Sequence, residues 1–549
     1  MDRRRPLRRG SAVALVACVA VAGLAVAPVQ ALAFTFHVNT IFDGIDVDLA
    51  NPACLTEEGK CSLRAAVMQA NALDPVAGHH TINVPAGTYS LILVGTGEDD
   101  AQTGDLDIRQ DMTIHGAGSS KTIIRMAPNA TDDGNDRIFH VPDEDIDLVI
   151  EGATLRQGDS HVQGGAAILV DEASDEVTLD RVVVRNNVAK GAIIETVGSL
   201  LIRDSSIINN DSVDATISHG YGNLTIRRST ISGNHQGGGG AVMYGGSGTG
   251  LIDRTTISGN TRVGTGGALA IMLGFSAADP TSLTLRNSTI AGNNGVHAAI
   301  SVRLANDMTI ESTTIAGNDG IGLYSSTTTT LRNTLLSNSS GNCDGGSPLP
   351  DSLGHNLDTG TSCGLDGPGD IQDGVALLQV LDYNGGSTRT RALTIGSQAI
   401  DAGFDCPGVD QRGFSRPKDG DGNGSAKCDI GAYEAAKFVE PTVEPTIEPT
   451  VEPTVEPTVA PPSAAPTIEP GASGPAASAG ASLEPGVSPA FSLCPCGSAP
   501  GATAPPAAQP AGDDDGEISI LWIVIAVLAV LLAFSLGMGL RARRNPSDG

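Results

Sequence analysis

Aromatic side chains are scarce in these 549 residues: Phe, Trp and Tyr together make 3%, and the one tryptophan is Trp522. A protein that grips sugar rings on broad Trp and Tyr platforms is therefore a poor fit. Cationic side chains are also few, 33 Lys and Arg against 62 Asp and Glu, for a formal net charge of −29. That balance argues against nucleic acid or an anionic membrane surface as a partner. None of the nine cysteines has zinc-finger spacing. No Ser/His/Asp set and no metal-binding His pair stands out among the ten histidines.

What the chain does have is a degenerate repeat. Its clearest copies begin at Leu224, Leu283 and Met308 and read apolar-Thr-apolar, two polar residues, Ser/Thr-Thr-Ile, then Ser/Ala-Gly-Asn. The third-position aliphatics are Leu179, Ile202, Ile226, Ile252, Leu285, Ile310 and Leu331, so successive copies lie 21 to 33 residues apart. Repeats of this length belong to stacked architectures. The residues are strand formers in alternation, and no copy holds a helical run long enough for a crossover helix. The expectation is an all-β chain wound as a parallel β-helix, with the aliphatic columns stacked into one core. Asn187, Asn210, Asn234, Asn260, Asn293 and Asn318 share one repeat position. They are expected to take the left-handed backbone of a sharp bend and to form a ladder along the axis.

The two ends carry addresses. Residues 1–33 read as a secretory signal: Arg3, Arg4, Arg5, Arg8 and Arg9, an apolar stretch, then Ala31-Leu32-Ala33. Leu15-Val16-Ala17-Cys18 also resembles a lipobox. From Ile518 to Leu540 no residue is charged, and Arg541, Arg543 and Arg544 follow. A single-pass membrane helix over 518–540 is expected, with 541–549 in the cytoplasm and the rest outside. Between 438 and 517, Glu-Pro-Thr-Val/Ile repeats give way to Pro, Ala, Ser and Gly, the composition of a disordered stalk. The exported address permits disulfides, and Cys54–Cys61, Cys343–Cys363 and Cys406–Cys428 are the expected local pairs.

A β-helix needs its open end covered. Ser62 is a plausible N-cap for a short capping helix in which Leu63, Ala66, Val67, Ala70 and Leu73 share a face. Cys54-Leu55-Thr56, then Cys61-Ser62-Leu63-Arg64-Ala65-Ala66 and Asn71-Ala72, resembles the CSLREA domain of bacterial exported β-helix proteins, with Ala65 where that pattern has Glu. Gly104-Asp105-Leu106-Asp107-Ile108 is similar to the same family. Near the other end, Gly396 to Gly403, Asp410-Gln411-Arg412-Gly413 and Cys428 to Glu434 resemble the choice-of-anchor Q domain. These resemblances imply a right-handed, pectin-lyase-like helix and little about activity. The resulting division is cap 34–80, β-helix 81–345, anchor-type region 346–437, then the stalk.

Three groups of residues are candidates for chemistry. Asp419, Asp421, Asn423 and Ser425 place oxygens at alternate positions with Gly424 at the sixth, as in a calcium loop, although Ile430 stands where the twelfth-position Glu belongs. An Asx-rich turn is the alternative. Asp43, Asp46 and Asp48 form a second acidic loop. Arg181, Arg203, Arg227, Arg254, Arg286 and Arg332 recur at the fourth and fifth repeat positions, either as a stripe for an acidic polysaccharide or as a face paired with the neighbouring acids. The functional expectation is a membrane-anchored surface protein that contacts a glycan or another cell without catalysis. A polysaccharide lyase or glycoside hydrolase on this scaffold, or a structural envelope protein, are the alternatives. Fold alone licenses no catalytic residue.

Overall fold

The structure is a computed structural model that describes residues 33–73, 78–127, 136–160, 164–262, 270–274, 281–304, 307–344 and 348–437. The leader through residue 32, the stalk and the apolar segment 518–540 lie outside them. Among the described residues no helix is long and apolar enough to cross a membrane.

Each coil runs through the same sequence of short strands, and each strand pairs in parallel with its counterpart one coil away. The described strands collect into sheets of twelve, eleven and nine, with a five-stranded ribbon between the last two. Strand Glu176–Asp180 lies between Asp147–Glu151 and Ser199–Arg203, so Ile150, Leu179 and Ile202 stack directly. The column continues through Ile226, Ile252, Leu285, Ile310 and Leu331, and all are fully buried. Full burial of one such side chain is worth about 1.5–3 kcal/mol, and the column repeats that gain at every coil.

Two polar ladders turn the corners. Asn187 Nδ2 donates to Asn210 Oδ1 at 2.9 Å, and the chain of amides passes on through Asn234, Asn260, Asn293, Asn318, Asn338 and Asn342 at 2.9–3.1 Å. The left-handed residue is not the ladder Asn, as expected from sequence, but the one before it: Asn186, Asn209, Gly233, Gly259, Gly292 and Gly317 have φ of 55–69°. The bend turns the next side chain inward, where its amide replaces water for the coil's backbone. The other corner uses hydroxyls. Arg181, Asp204, Arg228 and Arg254 take positive φ. Ser205, Ser229, Thr255 and Ser288 accept from backbone N–H groups one coil back.

One core position departs from the aliphatic rule. Gly250 sits in register between Leu224 and Leu283, and a Cβ there would meet the Tyr244 ring at 2.7 Å. Tyr244 fills that volume from the opposite wall, donating to the Gly222 carbonyl at 3.1 Å and lying 5.0 Å from the His219 ring. Burial lowers the His219 pKa to about 4 and raises that of Tyr244 to about 12.

The ladder runs past the boundaries at 80 and 345. Thr35–His37, from the expected cap, pairs with Thr81–Asn83, and Leu357–Asp358 pairs with Leu335–Leu336. Helix α1 (Leu63–Asn71) closes the first coil, its N-cap Ser62 accepting from Ala65 N at 2.9 Å. Arg64 is fully buried in it and is bound by Asp43 and the carbonyls of Ala101, Gly104 and Asp105. Ile41, Phe42, Ile45 and Val47 around Asp43 lie at the surface. Asp46 accepts from Asp48 N and Leu55 N, so two acids of the expected second acidic loop act as backbone anchors. Cys54–Cys61, Cys343–Cys363 and Cys406–Cys428 are bonded.

Candidate functional site

The six arginines expected to form one stripe fall into two columns. Arg203, Arg227, Arg286 and Arg332 end strands of the twelve-stranded sheet, interleaved with acids in the order Glu151, Asp180, Arg203, Arg227, Asp253, Arg286, Glu311, Arg332. Arg181 and Arg254 occupy the adjacent corner. Ion pairs join Arg203 to Asp180, Arg286 to Asp253 and Arg332 to Glu311 at 2.8–3.2 Å, and Arg181 reaches Glu151. Arg254 donates instead to the Gln411 carbonyl of the C-terminal region. Of the six, only Arg227 is without an ion pair or side-chain hydrogen bond among the described residues. The stripe is largely neutralised because its acids stack in the same register.

An arginine column without acids lies on the eleven-stranded sheet. Strands Gly87–Leu91, Thr122–Met126, Thr154–Arg156 and Val183–Arg185 place Ser90, Arg125, Arg156 and Arg185 in one outward register, followed by Ile208 and Ser232. All three arginines are half-buried. Arg125 is held by Ser90 Oγ at 2.8 Å and by Gln157 Oε1 at 3.1 Å. Arg156 Nε is buried without a hydrogen-bond partner among the described residues. Burial first, then the charges of Arg125 and Arg185, lower the Arg156 pKa. At the strand spacing of about 4.8 Å, adjacent charges repel by about 0.9 kcal/mol in bulk water and about 3.5 kcal/mol at an effective dielectric of 20.

The densest group of titratable residues sits on the nine-stranded sheet. Strands Leu106–Asp107, Phe139–Val141, Ile168–Val170 and Ile194–Thr196 put Leu106, Phe139, Ile168 and Ile194 into the core. The alternate residues Asp107, His140, Leu169 and Glu195 therefore form the outward column, which continues through Ser218, Met243, Met272, Ser301 and Tyr324. His140 Nδ1 lies 3.1 Å from Asp107 Oδ1 and 3.6 Å from Asp99 Oδ1, and its Nε2 lies 3.0 Å from Asp171 Oδ2. Burial works against the imidazolium, but the hydrogen bonds with Asp107 and Asp171 outweigh it and raise its pKa to about 9. Arg137 Nε bridges Asp105 and Asp136 at 3.2 and 3.3 Å. Burial, then the Asp136 and Asp107 charges, push Asp105 up to about 8. Burial likewise raises Glu195 and Asp136. A Cβ on Gly164 would land 1.4 Å from a Glu195 carboxylate oxygen, so glycine there admits the acid.

This arrangement offers two cations, His140 and Arg137, among carboxyls of which Asp105, Asp136 and Glu195 lie above the ordinary carboxylate range. Asp99, Asp107 and His140 also lie close enough together to hold a metal ion, and His140 would release its ring proton on binding one. Hydrogen bonding to hydroxyl groups and proton exchange are chemistries this arrangement can support. Sequence reading missed the group because its members converge only after Gly104 to Asp107 and Asp136 to His140 are laid in register.

In the expected calcium loop, Asp419 and Asp421 converge with Asp401, which was not among the sequence candidates. Asn423 Nδ2 donates to Asp421 Oδ2 at 2.8 Å, and Asn423 Oδ1 accepts from Ser425 N. Backbone N–H groups of Gly424, Asp421 and Gly420 bond to these carboxylates, and Asp419 Oδ1 is buried without a hydrogen-bond partner among the described residues. The Gln411 and Arg412 neighbourhood is structural. Gln411 bonds Thr256 and Thr289 at 2.9 and 2.6 Å, and Ala432 N donates to Thr314 Oγ1, fixing the C-terminal region on the later coils.

The coil geometry and the comparisons agree on the class. A family model described as a right-handed β-helix region matches residues 166–336, and the described coils form a parallel β-helix. Among solved structures it is similar to a pectate lyase at 14% identity and a TM-score of 0.37, over 74% of this chain and 97% of that one. It is similar to a rhamnogalacturonan lyase at 12% and 0.34, over 66% and 96%. The A-module of an Azotobacter vinelandii mannuronan C-5 epimerase matches at 16% and 0.33, over 60% and 92%. Identities this low speak only to coil architecture. No curated protein matches the chain.

Proposed function

We propose that this is a surface-displayed β-helix protein that contacts an extracellular polysaccharide along the outward column of its nine-stranded sheet. The signal at 1–33, the stalk at 438–517 and the apolar segment 518–540 would hold it on the outer face of a cell membrane. The observation that carries the reading is His140, fixed between Asp107 and Asp171 at 3.1 and 3.0 Å, one strand from Leu169 and two from Glu195. Charge-assisted donors and acceptors held rigidly at coil spacing bind hydroxyls with little ordering cost.

A second reading, turnover of the same glycan by a lyase or hydrolase mechanism, is favoured by the raised carboxyl of Glu195 two strands along the column from a cationic imidazole. The test is a glycan array on the full-length chain, followed by product analysis on every polymer bound. Binding without products supports contact. Shortened or unsaturated products support turnover, and no binding to any glycan refutes both.

A further inference from the structure

From the acid-free arginine column we infer that Arg125, Arg156 and Arg185 form a second binding site, separate from the His140 column, for the anionic groups of a linear acidic polysaccharide. Three observations carry it. The three guanidinium-bearing residues are in consecutive register, with no carboxylate in ion-pair distance among the described residues. Their repulsion is left uncompensated in a chain whose other arginine ladder is interleaved with acids, so an external anion is the missing partner. Arg125 is fixed by Ser90 and Gln157 while Arg156 retains an unused buried donor. The column is therefore partly preorganised, with hydrogen-bonding capacity in reserve.

The geometry also narrows the ligand. Charges one coil apart suit a polymer bearing an anion on successive or alternate units, laid along the helix axis. Nucleic acid fits less well: the column continues into Ile208 and Ser232 rather than an aromatic base-stacking platform, and the chain is acidic overall. The C-terminal region docks on the same sheet at Thr256, Thr289 and Thr314, coils beyond the arginines. Uronate carboxylates and sulfate esters share the required chemistry.

The full-length chain, in detergent, is measured against immobilised polygalacturonate, dextran sulfate and neutral dextran. Either acidic polymer binds, weakening as salt rises, and Arg125→Gln, Arg156→Gln and Arg185→Gln each lower that affinity by roughly tenfold. The triple variant loses it, and Arg156→Lys retains part. Binding of polygalacturonate alone assigns the site to carboxylates; binding of dextran sulfate alone assigns it to sulfates. Because Gln relieves like-charge repulsion, the melting temperature of Arg156→Gln is unchanged or raised. Arg203→Gln, in the acid-paired ladder, keeps full affinity for the acidic polymer, which separates this site from the other arginine column. The inference is overturned if neither acidic polymer binds, or if the triple variant binds as wild type does. It is also overturned if affinity falls only together with the melting temperature, or if Arg203→Gln abolishes it.

Discussion

Arg64 Nε donates to Asp43 Oδ1 at 2.8 Å in a site from which solvent is excluded on both sides, with side-chain exposures of 0% and 2%. The same guanidinium binds the carbonyls of Ala101, Gly104 and Asp105. Asp43 in turn accepts from Ile92 N and Leu93 N. The pair thus ties the capping helix to the loop that carries Asp105 and Asp107 into the candidate site. Removing one partner of such a pair strands the other's charge, at a cost of about 3–5 kcal/mol. Arg64→Met is expected to destabilise the cap by that amount and to raise amide hydrogen exchange across 95–107 before the later coils open. Uniform exchange across all coils would count against a local clamp.

The asparagine ladder makes a sharper demand. Asn260 accepts from both Asn234 N and Asn234 Nδ2 and donates to Asn293 Oδ1 and the Ile231 carbonyl. Asn260→Ala orphans several buried groups at once, each worth about 1–3 kcal/mol when left unsatisfied. Loss of at least 2 kcal/mol in urea unfolding is expected, with Asn260→Asp no better because it replaces a donor by an acceptor.

Gly250 and Tyr244 are predicted to be coupled. Gly250→Leu restores the aliphatic column but drives into the tyrosine ring, and overpacking of this kind costs about 1–3 kcal/mol. Adding Tyr244→Ala should recover more stability than the two single changes predict together, a coupling of roughly 0.5–3 kcal/mol in a double-mutant cycle. Additive losses would mean that the glycine makes no room for the ring.

The pH dependence follows from His140. Its pKa is raised in the fold to about 9, against about 6.5 when unfolded. The native state holds the proton more tightly, so the stabilisation is complete below pH 6.5 and is lost as pH rises through 9. Asp105, raised to about 8, acts in the same direction. His219 works oppositely: with a pKa lowered to about 4, its contribution is present above pH 6.5 and lost as pH falls through 4. Melting temperature should therefore decline on the alkaline side with a slope that His140→Gln reduces, and on the acid side with a slope that His219→Phe reduces.

Much of the rod was readable in the chain, and much of its chemistry was not. Leu179, Ile202 and Ile226 announce a stacked core because aliphatics recurring at coil spacing have few other ways to be buried together. The hydroxyl ladder of Ser205, Ser229 and Thr255 went unread because Ser and Thr look like ordinary strand or turn residues until a corner points them inward. The repeat positions of Arg203 and Arg286 leave open a ligand stripe or a self-paired face, and coil register shows which acids, Asp180 and Asp253, pair with them. Arg125 and Arg156 precede the first repeat copy and Arg185 lies within it, so no recurring string marks their common register. His140 was invisible for the same reason. Its partners come from residues 107 and 171, and only coil pairing makes them neighbours.

The most direct test of the account is glycan binding by the full-length chain compared with Glu195→Gln and Asp171→Asn variants of unchanged melting temperature. If the nine-stranded sheet contacts polysaccharide, at least one array glycan binds the wild type and both substitutions weaken it, by roughly tenfold for each charged hydrogen bond lost. Wild-type affinity in both variants, or no glycan bound at all, would contradict it.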